Sequence, residues 1–162
     1  MAHRLVNTAL LLTGLVAALT FPGCASDDPA APTQRVTLNG RTFELELALD
    51  DESRYRGLSG REHIPEDGGM LFVFPYAREV HFVMRDCPNP IDVVFLGPNG
   101  RVVSMHAMRP EPGVPESQLT RYASRWPVQF AIELRGGTLA ELALEPGQRV
   151  DLPIEELKRR AR

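Results

Sequence analysis

Residues 81–96 read HFVMRDCPNPIDVVFL, which sets two apolar runs around a polar corner. Short apolar runs bounded by turn residues are typical of β-strands. The Pro-Asn-Pro corner at residues 88–90 disfavours a helix, because proline lacks a backbone N–H and restricts the residue before it. The stretch therefore predicts a strand, a proline-locked turn and a returning strand. Cys87 and Asp92 within it are the groups that could carry chemistry.

The same kind of pattern extends along the chain in both directions. Asn39-Gly40 precedes the alternating residues 41–49, which predicts a β-hairpin with a type I′ turn. The acidic residues from Asp50 onward predict the start of a short helix that ends near Gly57 or Gly60. The remaining predicted elements are strands at 70–74, 80–86, 91–96, 101–108, 128–134 and 148–152, and a helix at 138–144.

This spacing of strands predicts one mainly β domain, a small antiparallel sandwich or barrel with two or three short helices. The chain of 162 residues, 43% of them hydrophobic, is long enough to bury a core. Residues 1–23 are predicted to be a signal peptide and residues 24–34 a lipidated N-terminus with a flexible tether. Residues 35–153 form the predicted β-sandwich domain, and residues 154–162 form a C-terminal helical tail.

The N-terminus has the features of an export signal. Arg4 precedes the apolar run ALLLTGLVAAL at residues 9–19. This run is shorter than the roughly 20 residues that a membrane-spanning helix needs. Gly23-Cys24 followed by Ala25 resembles the lipobox of bacterial lipoproteins, in which the cysteine is lipidated and becomes the mature N-terminus. Ordinary cleavage near Ala25 is the alternative, and it would remove Cys24.

These features predict an exported protein whose lipid anchor at Cys24 holds it on a membrane. The outer membrane facing the periplasm is the expected location, and a soluble periplasmic or secreted protein is the alternative. In either case Cys87 has no intrachain cysteine partner, since the chain has only 2 cysteines. The net charge of −3 argues against nucleic acid as a partner, because phosphate binding needs a concentrated basic face.

Three stretches carry a resemblance to a known family. They are RYRGLSGREHIPEDGGMLFVFP at 54–75, HFVMRDCPNPIDVVFLGPNGRVVSMHAMRPEP at 81–112, and YASRWPVQFAIELRGGTLAELALEPGQRV at 122–150. Over residues 37–152 the chain resembles the domain of unknown function 192 family, also described as an uncharacterised ACR family. The resemblance implies an exported, jelly-roll-like β-sandwich and brings no established reaction. Val83 departs from the tryptophan frequent in the family, and Asp86-Cys87 stands where Asn-Thr is frequent.

Asp92 is a carboxylate in an otherwise apolar predicted strand. An unpaired buried carboxylate costs several kcal/mol, so Asp92 is expected to have backbone amides, an arginine or a metal as its partner. The candidate arginines are Arg56, Arg61 and Arg85. A structural bond at the proline corner and a role in ligand binding both stay open. Glu133 raises the same question between Ile132 and Leu134, and a solvated outer face is expected for it.

A metal site is a further hypothesis. His81, Asp86, Cys87 and His106 are suitable ligand types, but their spacing lacks a Cys-x-x-Cys or His-x-His pattern. His106 and Met108 lie two residues apart on one predicted strand face, and imidazole with thioether suits Cu(I). The metal candidates are therefore His81, His106 and Met108, with copper or zinc as the metal.

Cys87 could also act as a nucleophile, which would require a lowered thiol pKa and a nearby base. Pro88 prevents a helix from starting at Cys87, and the neighbouring Asp86 raises a thiol pKa. His81 or His106 would have to supply the base. The sequence has neither a Gly-x-Ser-x-Gly elbow nor a glycine-rich phosphate loop.

Residues 109–127 form a long predicted loop rich in proline, arginine and aromatic residues, including Trp126. Such a loop can present stacking and cationic groups to a cell-envelope protein or glycan. We therefore expect a non-enzymatic binding or accessory domain at the bacterial cell envelope, without a cofactor. The alternatives are a metal-binding periplasmic protein and a hydrolase or thiol enzyme. The ligand-binding candidates are Asp86, Cys87, Asp92, Arg56 and Trp126.

Overall fold

The computed structural model describes residues 31–162, so the predicted signal peptide and the lipidation site at Cys24 lie outside the described residues. The strands are β1 (Thr33–Leu38), β2 (Arg41–Ala48), β3 (Gly68–Arg78), β4 (His81–Phe82), β5 (Ile91–Leu96), β6 (Val102–Met108), β7 (Tyr122–Ala123) and β8 (Val128–Arg135). The helices are α1 (Asp51–Arg56), α2 (Thr138–Leu142) and α3 (Ile154–Arg160). Within this part of the chain, every helix is too short or too polar to cross a membrane.

Six strands form one sheet in the order β1, β2, β3, β8, β5, β6, and β4 pairs with β7 in a small second sheet. The predicted mainly β fold with two or three short helices is confirmed. All neighbouring strands of the large sheet are antiparallel except β2 and β3. This pair is parallel because the segment between them, which contains α1, returns the chain to the same end of the sheet. The large sheet is therefore mixed.

Apolar layers cover both faces of the large sheet. The first layer packs helices α2 and α3 onto one face through residues such as Leu142 and Leu157. The second layer packs the segment after α1 and the segment after β4 onto the other face, through Leu58, Ile64 and Met84. Strands β5 and β8 are buried along nearly their whole length as a result. Successive side chains of a strand enter opposite layers.

The local predictions near the start of the domain are confirmed. Asn39 and Gly40 connect β1 to β2 with φ angles of 46° and 86°, as a type I′ turn requires. The Oδ1 atom of Asp50 accepts the N–H of Ser53 at 2.8 Å and caps α1. The helix ends at Gly57. These features depend on contacts within a few residues, which explains why the sequence predicts them well.

The corner in residues 81–96 forms with a shorter first strand than predicted. A strand was expected over residues 80–86, but β4 holds only two residues. The chain turns where the N–H of Cys87 donates to the Met84 carbonyl at 3.4 Å and where Asp86 has a φ of 51°. Strand β5 follows the corner over the predicted residues.

Two further elements are shorter than the sequence predicts. The strand expected over residues 148–152 is reduced to a bridge between Arg101 and Arg149. The helix expected over residues 138–144 stops at Leu142, because Ala143 adopts a left-handed conformation with a φ of 47°.

Candidate functional site

A pocket of about 770 Å³ opens on the face of the sheet that carries the second layer. Its buried lining residues, including Glu133, Gly57 and Phe72, form the floor. Its exposed lining residues, including Arg78 and Arg121, form the mouth. We call this feature the Glu133 pocket. Its volume falls in the range of about 300–1,000 Å³ that is usual for small-molecule sites.

Glu133 lies on β8 between Met70 of β3 and Val93 of β5, which pair with it across the sheet. The residue is only 5% exposed, so the expectation of a solvated outer face is wrong. Burial raises the pKa of Glu133 from 4.5 to about 7, while a hydrogen bond from the Leu58 N–H acts in the opposite direction. Its Oε2 atom has no hydrogen-bond partner within residues 31–162. A buried oxygen in this state needs an explanation.

Gly57 allows the end of α1 to approach the Glu133 carboxyl group. Its φ and ψ angles are 51° and −137°, a conformation that glycine adopts without a steric penalty. A Cβ atom at this position would lie 3.3 Å from both Glu133 Oε2 and Phe72 Cζ. The close approach brings the Leu58 N–H to the carboxylate, and a side chain at position 57 would crowd Oε2.

Cys87 also lines the Glu133 pocket, and its S–H donates to the Arg85 carbonyl at 3.3 Å. Burial, together with the charge of Glu133, raises the pKa of the Cys87 thiol to about 11. A hydrogen bond with Ser59 acts in the opposite direction. A thiol with this pKa is protonated at neutral pH, so the geometry does not favour a thiolate nucleophile.

Alkylation measures this effect directly. In a Cys24→Ala variant, Cys87 is the remaining thiol. We expect iodoacetamide to modify native Cys87 on the order of a hundredfold more slowly at about pH 8 than it modifies the urea-unfolded chain, because the native thiolate fraction is smaller. The rate should rise with pH well beyond the free-thiol midpoint. A native midpoint near ~8.5 would contradict the burial effect and restore the thiol-enzyme hypothesis.

One side of the Glu133 pocket is held together by Arg85. Its guanidinium group lies over the Tyr55 ring at 3.7 Å and donates to the Tyr55 carbonyl. It also donates to Glu116 Oε1 at 3.0 Å. Cation–π contact and a charge-assisted hydrogen bond thus join α1, the segment after β4 and the loop before β7. The pocket wall is built from three segments that are far apart in the sequence.

The arginines around the pocket differ in their partners. Arg54 and Arg56 each form an ion pair with a carboxylate of α1, at 2.8 and 2.6 Å. Arg78 lies over the Phe74 ring at 5.5 Å, and neither Arg78 nor Arg121 has a carboxylate partner among residues 31–162. Both side chains remain available to an anion at the mouth.

Asp92 points into the first layer, on the opposite face of the sheet from the Glu133 pocket. It is 1% exposed, and its Oδ2 atom accepts the Leu139 N–H at 2.8 Å. Burial raises the pKa of Asp92, and the amides of Leu139, Gly137 and Thr138 act in the opposite direction. Asp92 therefore caps helix α2, whose own N-cap residue is a glycine. The three candidate arginines pair with other carboxylates.

The metal-ligand candidates are dispersed. His106 Nε2 lies 2.9 Å from the Ala123 carbonyl oxygen, and its ring contacts that of Tyr122. Met108 is buried in the second layer, while His81 is exposed and lines the pocket. Within the part of the chain that the structure describes, no three or more His, Cys, Asp or Glu side chains are grouped to hold a metal ion.

The structure brings together only some of the ligand-binding candidates. Cys87 and Arg56 line the Glu133 pocket, whereas Asp86, Asp92 and Trp126 do not. Trp126 is 59% exposed. Sequence reasoning missed Glu133 as a site residue, although a carboxylate between two aliphatic residues in a strand was a signal that could have found it.

The fold and the pocket define a mainly β protein with a ligand-sized cavity on one face of a mixed sheet. Residues 34–152 match the family described as DUF192, uncharacterized ACR, and the chain belongs to this family. The resemblance inferred from the three sequence stretches is confirmed.

Two solved structures are similar to this chain. A suggested transcription regulator from Sinorhizobium meliloti 1021 is 36% identical, with a TM-score of 0.63, and the match covers 75% of this chain and 94% of that one. A protein of unknown function from Novosphingobium aromaticivorans DSM 12444 is 25% identical, with a TM-score of 0.66, and the match covers 78% and 89% of the two chains. No curated protein matches the chain.

Proposed function

We propose that the protein is a non-enzymatic binding module that takes a small, largely apolar molecule into the Glu133 pocket. One observation carries this proposal: Glu133 lines a cavity of about 770 Å³, and its buried Oε2 atom lacks a hydrogen-bond partner within residues 31–162. Small-molecule sites typically combine apolar walls with a few polar groups that orient the ligand. Phe72, Phe74 and Phe82 supply such walls here.

Binding is favoured over the alternatives by the surroundings of the groups that would have to react. The thiol of Cys87 has a pKa raised to about 11, which keeps it protonated at neutral pH. The imidazole of His106 is hydrogen-bonded to the Ala123 carbonyl, and His106 does not line the pocket that contains Cys87. A binding role needs only the cavity and its polar group, whereas a thiol enzyme needs an activated nucleophile.

We place this module at the cell envelope, exported by residues 1–23 and anchored by a lipid on Cys24, with an envelope protein or glycan as a further partner. The suggested role of the Sinorhizobium protein in transcription is not extended to this chain, because a net charge of −3 disfavours phosphate binding. Incorporation of labelled lipid should be lost in Cys24→Ala. Equal labelling of both proteins would refute the anchor.

A neutral fluorescent probe tests the binding role. N-phenylnaphthylamine should bind the protein saturably with a stoichiometry of about one, because the Glu133 pocket is large enough for a molecule of this size. A Ser117→Trp variant places a bulky side chain at a residue that lines the pocket, and it should weaken binding by about tenfold or more.

Val114→Trp is the matched control, since Val114 lies in the same loop, is 38% exposed and does not line the pocket. This variant should bind the probe as the wild type does. The proposal fails if the folded wild-type protein shows no saturable binding, or if the two tryptophan variants reduce binding equally.

A further inference from the structure

The Glu133 pocket has a polar group at its floor, aromatic walls and cations at its mouth. These three features lie in one cavity, and each restricts the chemistry of a ligand. The inference below rests on the proposed function, because it names the class of molecule that the same pocket would take.

The floor requires a ligand group that can serve either protonation state of Glu133. Because the pKa of Glu133 is raised to about 7, the ionised and the neutral carboxyl are both populated near neutral pH. An ionised Oε2 needs a donor and a protonated one needs an acceptor. A hydroxyl group is both donor and acceptor, so it can pair with the Glu133 carboxyl group at the floor in either state.

The walls favour a flat apolar body in the middle of the ligand. Phe72 and Phe82 meet edge to face with ring centroids 4.8 Å apart, and both line the cavity together with Phe74. Aromatic rings pack well in such edge-to-face and offset arrangements. An aromatic ring that carries a hydroxyl group can therefore contact the walls while its oxygen reaches the floor.

The mouth favours an anion at the other end. Five arginines and four carboxylates line the pocket, and one of the carboxylates is Glu133 itself. Arg54, Arg56 and Arg85 already have carboxylate partners. Arg78 and Arg121 have no such partner within residues 31–162, and a planar guanidinium group matches a carboxylate well. Glu79 is the lining carboxylate that opposes an anion here.

We infer that the Glu133 pocket takes a hydroxyaryl carboxylate, with its hydroxyl group on Glu133, its ring against Phe72 and Phe82, and its carboxylate at Arg78 and Arg121. The order of Glu133, the aromatic walls and the two arginines from floor to mouth fixes the orientation of the ligand in the pocket. The hydroxyl end is buried, and the carboxylate end stays near solvent, where its desolvation costs least.

A matched series of compounds tests each end of the ligand. Hydroxyphenylpropionate, phenylpropionate, hydroxyphenylpropanamide and tyramine are used to displace N-phenylnaphthylamine from the wild-type protein. We expect hydroxyphenylpropionate to bind most tightly. Loss of the hydroxyl group or of the carboxylate should each weaken binding by about tenfold, the usual size for one hydrogen bond or ion pair in a partly buried site.

Variants assign the two effects to residues. In Glu133→Met the hydroxyl group should no longer matter, so hydroxyphenylpropionate and phenylpropionate should bind equally. In Arg121→Gln the carboxylate and the amide should differ less than in the wild type. Arg109→Gln is the matched control, because Arg109 lies in the same loop and does not line the pocket. Binding of the neutral probe to each variant shows that its pocket is folded.

The outcomes separate this inference from the proposed function. If the probe binds but tyramine or the amide displaces it best, the ligand is not an anion and the inference is overturned while the binding role stands. If the probe binds and none of the four compounds displaces it, the inference is likewise overturned. Failure of the probe to bind the folded wild-type protein overturns the binding role itself.

Discussion

Glu133→Gln is expected to change how the stability of this protein depends on pH. The free energy of unfolding of the variant, measured relative to the wild type, should rise by about 3 kcal/mol between about pH 4 and about pH 8. The cause is the burial of the carboxyl group beside Met70 and Val93, which raises the pKa of Glu133 from 4.5 to about 7. Glutamine has a similar shape and carries no proton that titrates in this range.

The direction follows from the proton balance. Between the two pKa values the folded protein keeps the Glu133 proton and the unfolded chain has lost it, so the folded state binds more protons. Stability of the wild type therefore falls as the pH rises through this window, and the contribution is fully lost above about pH 7. The glutamine variant does not lose stability in this way. Burying its amide lowers the free energy of unfolding by an amount that is the same at every pH, so it does not affect the change between pH values.

Urea unfolding of both proteins at several pH values measures the effect. All other titrating groups are the same in the two proteins, so their contributions cancel in the difference between the two free energies of unfolding. Glu79→Gln is the matched control, because Glu79 is an exposed carboxylate of the same pocket. Its difference from the wild type should stay flat. A Glu133→Gln difference that is equally flat would show that Glu133 is solvated in the folded protein.

The features that the sequence predicted correctly are decided by neighbouring residues. A positive φ at Asn39 and Gly40 is a property of the turn itself, and the cap of α1 joins Asp50 to Ser53 only three residues away. Apolar and polar residues alternate along β2, and this pattern correctly predicts that one face of the strand is buried. Such rules act within one element, and one sequence is enough to apply them.

The features that the sequence did not predict depend on which distant segments cover the sheet. The position of Glu133 between two apolar residues of β8 indicated that its side chain faces water. That prediction would be correct for a sheet with one face open to solvent. Leu58 and Met84, from two separate segments, cover that face instead. The parallel pairing of β2 with β3 has the same origin, because it depends on the path of the chain between the two strands.

Asp92 lies between these two cases. The sequence showed that this carboxylate needs a partner and offered backbone amides as one choice. The amide that it accepts belongs to Leu139, at the start of helix α2 on a distant part of the chain. The sequence around a buried carboxylate shows that it needs a hydrogen-bond partner. Which residue supplies that partner depends on how distant segments pack in the fold.

Gly69→Ala is expected to destabilise the protein by at least about 3 kcal/mol. Gly69 pairs with Leu45 on one side and with Leu134 on the other, at the point where β3 joins the parallel and antiparallel halves of the sheet. A Cβ atom there would overlap the carbonyl oxygen of Glu133 and would lie 3.0 Å from the Leu45 side chain. Backbone cannot move aside as a flexible side chain can, so the strands must separate.

This substitution also tests the link between the sheet and the Glu133 pocket. A shift of the Glu133 backbone should weaken binding of N-phenylnaphthylamine in whatever fraction of Gly69→Ala remains folded. Gly60→Ala is the matched control, since Gly60 has a φ of +73° with nothing within 4 Å of an added Cβ. It should lose only about 1 kcal/mol from backbone strain and should keep probe binding. Equal unfolding midpoints for the two variants would mean that the sheet accommodates a side chain at Gly69, and that Glu133 does not depend on this close contact for its position.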